Sequence, residues 1–258
     1  MLSDLAELRG SQELLRNFIS RDLRVRYKGS ALGIVWSLLN PLLMMVIYTV
    51  VFSIVMRAGI EHFPVFFLAG FLPWTFFSTA LLMGSASLIA HAQLIQKVYF
   101  PREVLPLSMT VANLVNFGIG MALFLPFAAI VRGVDLAGLL LLVPLTAVLF
   151  LFAAGVTILF AALVVYFRDV EFLLGIATTA WFFLTPIVYR IEDAPERYQP
   201  LFRLNPMTPF VESYRSVLYY AQLPSAGALL ACVVIAAGSA ATGYAVFGRL
   251  EGRLAEEL

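Results

Sequence analysis

The sequence predicts an all-α integral membrane protein with six transmembrane helices. Three features predict it. The mean hydropathy is +0.91, with 61% hydrophobic and 13% charged residues; long windows carry no ionisable residue; and lysine and arginine are unevenly distributed between the segments that join those windows. Soluble domains are about 45–50% apolar and about 25% charged, so this composition belongs to a chain solvated by lipid. A length of 258 residues suits one polytopic domain, residues 1–258.

The charge-free windows are Gly29–Met56, Phe63–Ala90, Val104–Val131, Leu136–Phe167, Phe172–Tyr189 and Ser216–Gly248. A membrane helix needs about 20 apolar residues. The windows therefore place spans at 32–56, 64–89, 104–131, 140–165, 171–189 and 225–248, with both termini on one side. That side collects Arg9, Arg16, Arg21, Arg24, Arg26, Lys28, Lys97, Arg102, Arg168, Arg249 and Arg253, whereas the short opposite loops hold only Arg57 and Arg132. Cytoplasmic loops are enriched in Lys and Arg, so both ends are expected in the cytosol. The N-terminus is charged and has no apolar core before a cleavage site, so it does not read as a cleaved signal peptide.

Residues 11–28 repeat Leu15, Ile19, Leu23 and Tyr27, with Leu14 and Phe18 beside them, and place Arg16, Ser20, Arg21, Arg24 and Lys28 on the other side. This is an amphipathic helix suited to the headgroup layer. It reads equally as a positive-inside anchor and as a docking surface for a cytosolic partner. "QKVYFPREVLP", Gln96 to Pro106, sets Lys97, Arg102 and Glu103 between two apolar runs. Its prolines are expected to end the flanking helices. As residues alone it is either a plain topology-setting turn or a contact for a soluble protein.

Residues 190–224 form the longest stretch outside the spans. Thr208 is expected to cap a helix beginning at Pro209. Phe210, Tyr214, Val217 and Leu218 would line one face and Glu212, Arg215 and Ser216 another, with Glu212 and Arg215 spaced to pair. Such a helix is either interfacial or dips into the outer leaflet as a gate. Trp36, Trp74 and Trp181 read as interfacial-belt residues, with a minority of rings left as candidates for lining a sugar path. The small residues of "GSAATG", Gly238 to Gly243, permit close helix packing within or between subunits.

Absences narrow the chemistry. No expected span carries Asp, Glu, Lys, Arg or His in its interior, which argues against ion-coupled carriers, proton pumps and charged-ring channels. The single cysteine, Cys232, excludes an intrachain disulfide framework. With only His62 and His91 besides, at opposite membrane faces, no ordinary metal site is expected. "MGSAS" around Ser85 offers a serine but no histidine at its depth to act as base. The sequence has no GxxxxGK[ST] loop. A transporter of this kind would draw its energy from a second protein docked at the N-terminal helix, the elbow and the turn "FRDVE", Phe167 to Glu171.

Three stretches add a resemblance. "RDLRVRYKGSALGIVWSLLNPLLMMVIY" (Arg21–Tyr48), "LIQKVYFPREVLPLS" (Leu94–Ser108) and "LNPMTPFVESYRSVLY" (Leu204–Tyr219) resemble, in order, the hallmark stretches of type-two ABC permeases that export O-antigen, capsule and teichoic-acid polymers, the Wzm-like group. The resemblance implies a homodimer around a polysaccharide channel, with one ATPase subunit beneath each copy. ATP and magnesium would be bound by that partner, with no cofactor and no catalytic or metal site in this chain. Arg21, Arg24, Arg26, Tyr27 and Lys28 would match the interface helix. Gln96, Lys97, Val98, Tyr99, Phe100, Pro101, Arg102 and Glu103 would match the coupling helix, within 94–103. Asn205, Pro206, Pro209, Glu212, Tyr214 and Arg215 would match external gate helices between spans five and six. The expected substrate is a lipid-linked polysaccharide crossing a bacterial inner membrane during lipopolysaccharide or capsule assembly; the alternative is a drug, a lipid or another small hydrophobic molecule. A third reading is a scaffold or assembly factor that moves nothing.

Overall fold

A computed structural model of the chain describes residues 12–27, 35–57, 59–98 and 100–254. Every regular element among them is helical. Four helices are long and apolar enough to cross a bilayer: α3 (Phe63–Ser85), α4 (Val104–Arg132), α5 (Leu136–Tyr166) and α9 (Ala226–Leu250). Their 23 to 31 residues correspond to about 35–47 Å at 1.5 Å per residue, against roughly 30 Å of hydrocarbon. Two of them open on a side-chain cap. Asp135 caps α5 by accepting from the Gly138 amide at 2.7 Å, and Ser225 caps α9 by accepting from Ala228 at 3.2 Å. α4 ends at Gly133, whose φ of 68° is the left-handed conformation that closes helix C-termini.

Two further apolar helices complete the bundle. α2 (Trp36–Tyr48) continues into seven residues of π geometry, Thr49–Val55, and runs antiparallel to α3, with Tyr48 stacked 4.7 Å from Phe67 and Phe52 6.1 Å from Phe63. α6 (Asp169–Leu184) opens with Asp169 and Glu171, acidic groups that favour a helix N-terminus. It stops at 16 residues, about 24 Å, short of the 171–189 span that the sequence predicts. The cause is Pro186: it drives Thr185 out of the helical region, to φ −97° and ψ 134°.

The turns sort into two ends. At one end, α1 (Gln12–Tyr27), the elbow after Ser85, the close of α5 and the close of α9 meet in a shared cluster of Phe18, Ile95, Phe100, Val165, Phe247 and Leu254. At the other, Tyr219 donates its hydroxyl to Glu61 O at 2.8 Å, and Arg132 donates Nε–H to Tyr219 O at 2.6 Å.

Two expectations are revised and a third is met on one face. Trp74 and Trp181 are not belt residues: Trp74 is buried near the middle of α3, edge-on to Trp181 at 6.1 Å, and both pack on Phe77. A ring in that position excludes lipid from a gap that smaller side chains leave open. Pro101 and Pro106 do not end the helix before them. α3 stops at Ser85, single helical turns at Ser87–Ala90 and Ala92–Ile95 follow, and Pro106 sits in the first turn of α4, where its missing amide costs no hydrogen bond. Of the small residues at 238–243, only one face packs. Gly155 of α5 sits against Ser239 and Ala240, where a Cβ on Gly155 would lie 2.5 Å from the Ala240 nitrogen, and Gly243 abuts the Gly155 carbonyl. Gly238 faces open space and Thr242 is exposed.

Candidate coupling surface and re-entrant hairpin

The two groups of residues singled out in the sequence fall at opposite ends of the bundle. At the elbow end, α1 is anchored by Phe18, which is buried edge-on to His91 at 5.7 Å and beside Phe100 at 6.2 Å. Leu14 and Leu15 pack with it, so the apolar stripe is centred on 14, 15 and 18 rather than on the Leu15–Ile19 row. Arg16, Arg21 and Arg24 point to the exposed side. The side chains of Leu23, Arg26 and Tyr27, and residues Lys28 and Tyr99 altogether, lie outside the described part.

The elbow divides its residues. Gln96, Lys97 and Val98 are exposed. Phe100 and Glu103 are buried, at 5% exposure each. Arg102 donates to the carbonyl of Glu251, closing the elbow onto the end of α9. Tyr166 donates to Leu250 O at 2.9 Å and reinforces the same junction. Arg102 is therefore half-buried and tied to the end of α9, and Glu103 is buried beside it in sequence. Chain curvature brings the C-terminal carbonyls over the elbow, and no local pattern encodes that. Beside this surface Phe167, Arg168 and Asp169 are exposed.

At the other end, residues 185–225 form a hairpin that re-enters the bundle. α7 (Gln199–Leu204) leads to a tip at Asn205–Met207, and α8 (Thr208–Leu218) leads away from it. Near the tip, Phe210 stacks on Phe152 at 5.3 Å, halfway along α5; farther on, Tyr214 meets Thr146 at 2.7 Å, hydroxyl to hydroxyl. Past the far end, Tyr219 reaches Glu61. α8 thus fills the space that the short α6 leaves.

Asn205 fixes the tip with both halves of its amide. Its Oδ1 accepts from Trp181 Nε1 at 2.7 Å and from the Met207 amide at 2.9 Å; its Nδ2 donates to Leu184 O at 3.0 Å and Thr185 Oγ1 at 2.9 Å. The donors on both sides identify which atom is oxygen. Pro206 supplies the bend and Pro209 lies in the first turn of α8. Thr208 does not cap α8: it lies within the helix, and its hydroxyl donates to Phe202 O at 2.7 Å.

Among the described residues Arg215 is the largest fully buried side chain, although the sequence pattern places it on the polar face of the helix with Glu212. The two do pair, Nη1 to Oε1 at 2.7 Å. Nη2 donates to Pro186 O at 2.7 Å and Ile187 O at 3.1 Å, and the guanidinium lies 3.7 Å from the Phe66 ring centre. Gly70 makes room: a Cβ there would approach the Arg215 Nη2 to 3.2 Å. The carbonyls of 186 and 187 are orphaned because Pro186 ends α6, and Arg215 satisfies them. Sequence reasoning missed this role, for which the only signal was an arginine three residues after a glutamate in a short helix.

Comparison with known proteins gives the family. Residues 13–219 match the ABC-2 type transporter family model. The chain belongs to that family. It is 36% identical over 243 residues to the O-antigen export system permease protein RfbA of Myxococcus xanthus, covering 91% of this chain and 90% of the relative. It is 32% identical over 255 residues to the protein of the same name from Klebsiella pneumoniae, covering 95% of each. The polysialic acid transport protein KpsM of Escherichia coli is 24% identical over 205 residues, 77% of this chain. The matched region takes in nearly all of α1, the elbow and the hairpin through α8, and ends at Tyr219, the residue that ties α8 to Glu61.

Proposed function

We propose that the chain is the membrane-spanning subunit of an ATP-driven exporter that moves a lipid-linked polysaccharide across the bacterial cytoplasmic membrane. The observation that carries this reading is the match along 95% of both chains to an O-antigen export permease. The four long helices carry no Asp, Glu, Lys, Arg or His in their interiors, which supports it, because helices without coupling groups point to an external motor. In this reading the chain crosses six times with both termini cytosolic. α2 and α6 are the two short crossings, supported by the sorting of the turns into two ends, and the hairpin completes the span that α6 leaves short. Two copies enclose the path, and each carries an ATP-binding subunit that holds ATP and magnesium.

The geometry supports the following roles. Gln96, Lys97 and Val98, together with Arg21 and Arg24, meet the ATPase. A push on the elbow passes through Phe100 and Phe18 into the first turn of α4 and, through Arg102, into the end of α9. A packed cluster moves as a body, so the force shifts helices rather than bending a loop. Asn205, Pro206, Pro209, Glu212, Tyr214 and Arg215 hold the hairpin that gates the external end. The test is co-purification with the ATPase subunit and ATP-dependent export of lipid-linked glycan in proteoliposomes. Lys97→Glu is expected to weaken co-purification and export together. A wild-type complex with no ATPase bound, or export that proceeds without ATP, would sink the proposal.

A further inference from the structure

Left-handed backbone gathers at one end of the bundle. Among the described residues five have such a φ: Arg57 at 52°, Gly59 at 65°, His62 at 46°, Gly133 at 68° and Ala221 at 51°. All five lie in the turns at the hairpin end, and none lies near the elbow. Glycine takes that conformation freely, whereas a side chain there costs enough to shift an equilibrium about five- to thirty-fold. Ala221 follows α8 at the place where glycine usually closes a helix. His62 precedes α3, where an extended residue with a capping side chain is usual, and it provides no such cap. These side chains hold a conformation that their surroundings must impose.

Tyr219 joins the strained segments. Its hydroxyl donates to Glu61 O at 2.8 Å, one residue before His62. Its own carbonyl, two residues before Ala221, accepts from Arg132 Nε–H at 2.6 Å. The Arg132 guanidinium also lies 4.5 Å from the centre of the Tyr219 ring, and Phe66 makes a T-shaped pair with that ring at 5.3 Å. Tyr219 is buried. One residue thus ties the turn before α3, the end of α4 and the end of α8. Arg132 needs its planar shape for this, since it bonds the carbonyl and covers the ring at once. An ammonium carries the same charge but cannot do both.

We propose that Glu61, Tyr219 and Arg132 form a sprung latch over the external end of the hairpin, with Arg132 as the positioning residue that acts through Tyr219. Closed, the latch holds His62 and Ala221 in left-handed backbone. Opened, both relax, so the strain offsets part of the cost of release. That release accompanies export rests on the exporter reading above.

The test is hydrogen exchange of the full chain with its ATPase subunit in nanodiscs, read on each side of the latch. One side is the amides of Val65 and Phe66, which donate to His62 O; the other is those of Tyr220 and Gln222, which donate to Arg215 O and Ser216 O. Exchange of such amides follows local opening. Ala221→Gly removes strain on one side only, yet it should slow exchange at Val65 and Phe66, across the latch, at least three-fold. Tyr219→Phe should speed exchange on both sides about five-fold, as expected for one lost hydrogen bond. In that background Ala221→Gly should no longer act across the latch. Arg132→Lys should behave like Tyr219→Phe, and added ATP should speed exchange on both sides in the wild type. An Ala221→Gly effect confined to its own side is local helix capping and overturns the proposal. So does a cross-latch effect that survives Tyr219→Phe, wild-type exchange in Arg132→Lys, or protection left unchanged in a complex that is hydrolysing ATP. The variants are compared without ATP, so the latch stands or falls even if no ATPase co-purifies, an outcome that sinks the exporter reading alone.

Discussion

Replacing Arg215 by methionine isolates the clamp that seats the hairpin. The side chain volume is roughly kept, but the two bonds to Pro186 O and Ile187 O disappear and leave buried acceptors. Hydrogen bonds from a charged donor contribute about 1.5–3 kcal/mol each. The pair with Glu212 adds less, since that carboxylate is 36% exposed and partly solvated pairs contribute about 0–1 kcal/mol. Removing the buried guanidinium, whose Nε has no hydrogen-bond partner, offsets part of the loss. The net cost of local seating is about 3 kcal/mol, or roughly a hundred-fold in the opening equilibrium. Cys232 reports on that equilibrium: it is the chain's single cysteine, 1% exposed, with its sulfur 3.9 Å from the Ser213 hydroxyl of α8. Local opening controls the reactivity of a shielded group, so the alkylation rate of Cys232 by N-ethylmaleimide in nanodiscs should rise about a hundred-fold in Arg215→Met. Glu212→Gln should raise it less than ten-fold. A rate within two-fold of wild type in Arg215→Met would refute the clamp.

Asn205→Leu removes four hydrogen bonds at the tip. It should raise Cys232 alkylation at least ten-fold and impair export, with ATPase co-purification unchanged. Arg102→Ala should lower the thermal stability of the purified complex through the lost contact to Glu251, whereas Lys97→Glu should leave stability unchanged and reduce ATPase co-purification; thermal shift and pull-down separate the two. Gly155→Leu should abolish a monodisperse peak in fluorescence-detected size exclusion, because the added side chain meets the α9 backbone, while Gly238→Leu, which faces open space, should be tolerated. Tyr214→Phe loses only the contact to Thr146, costing about 1 kcal/mol, and should shift the melting temperature by a few degrees.

The sequence by itself determined the helical class and the approximate bounds of the long spans. Ionisable side chains are too costly in hydrocarbon, so the intervals between them mark the bilayer without reference to other parts of the chain. α4, for example, starts at the expected Val104 and ends one residue past the expected 131. It also marked the exposed basic side of α1 and the pairing of Glu212 with Arg215, since both follow from helical spacing alone. Tertiary structure decided where the remaining charges go. Arg102 turns onto Glu251, and Arg215 is drawn under Phe66 by carbonyls that Pro186 leaves unpaired. Trp74 and Trp181 leave the interfacial belts to fill the space between α3 and α6. Each of these depends on a partner far away in sequence, and a burial that is satisfied only by a distant group leaves no periodic trace in the chain.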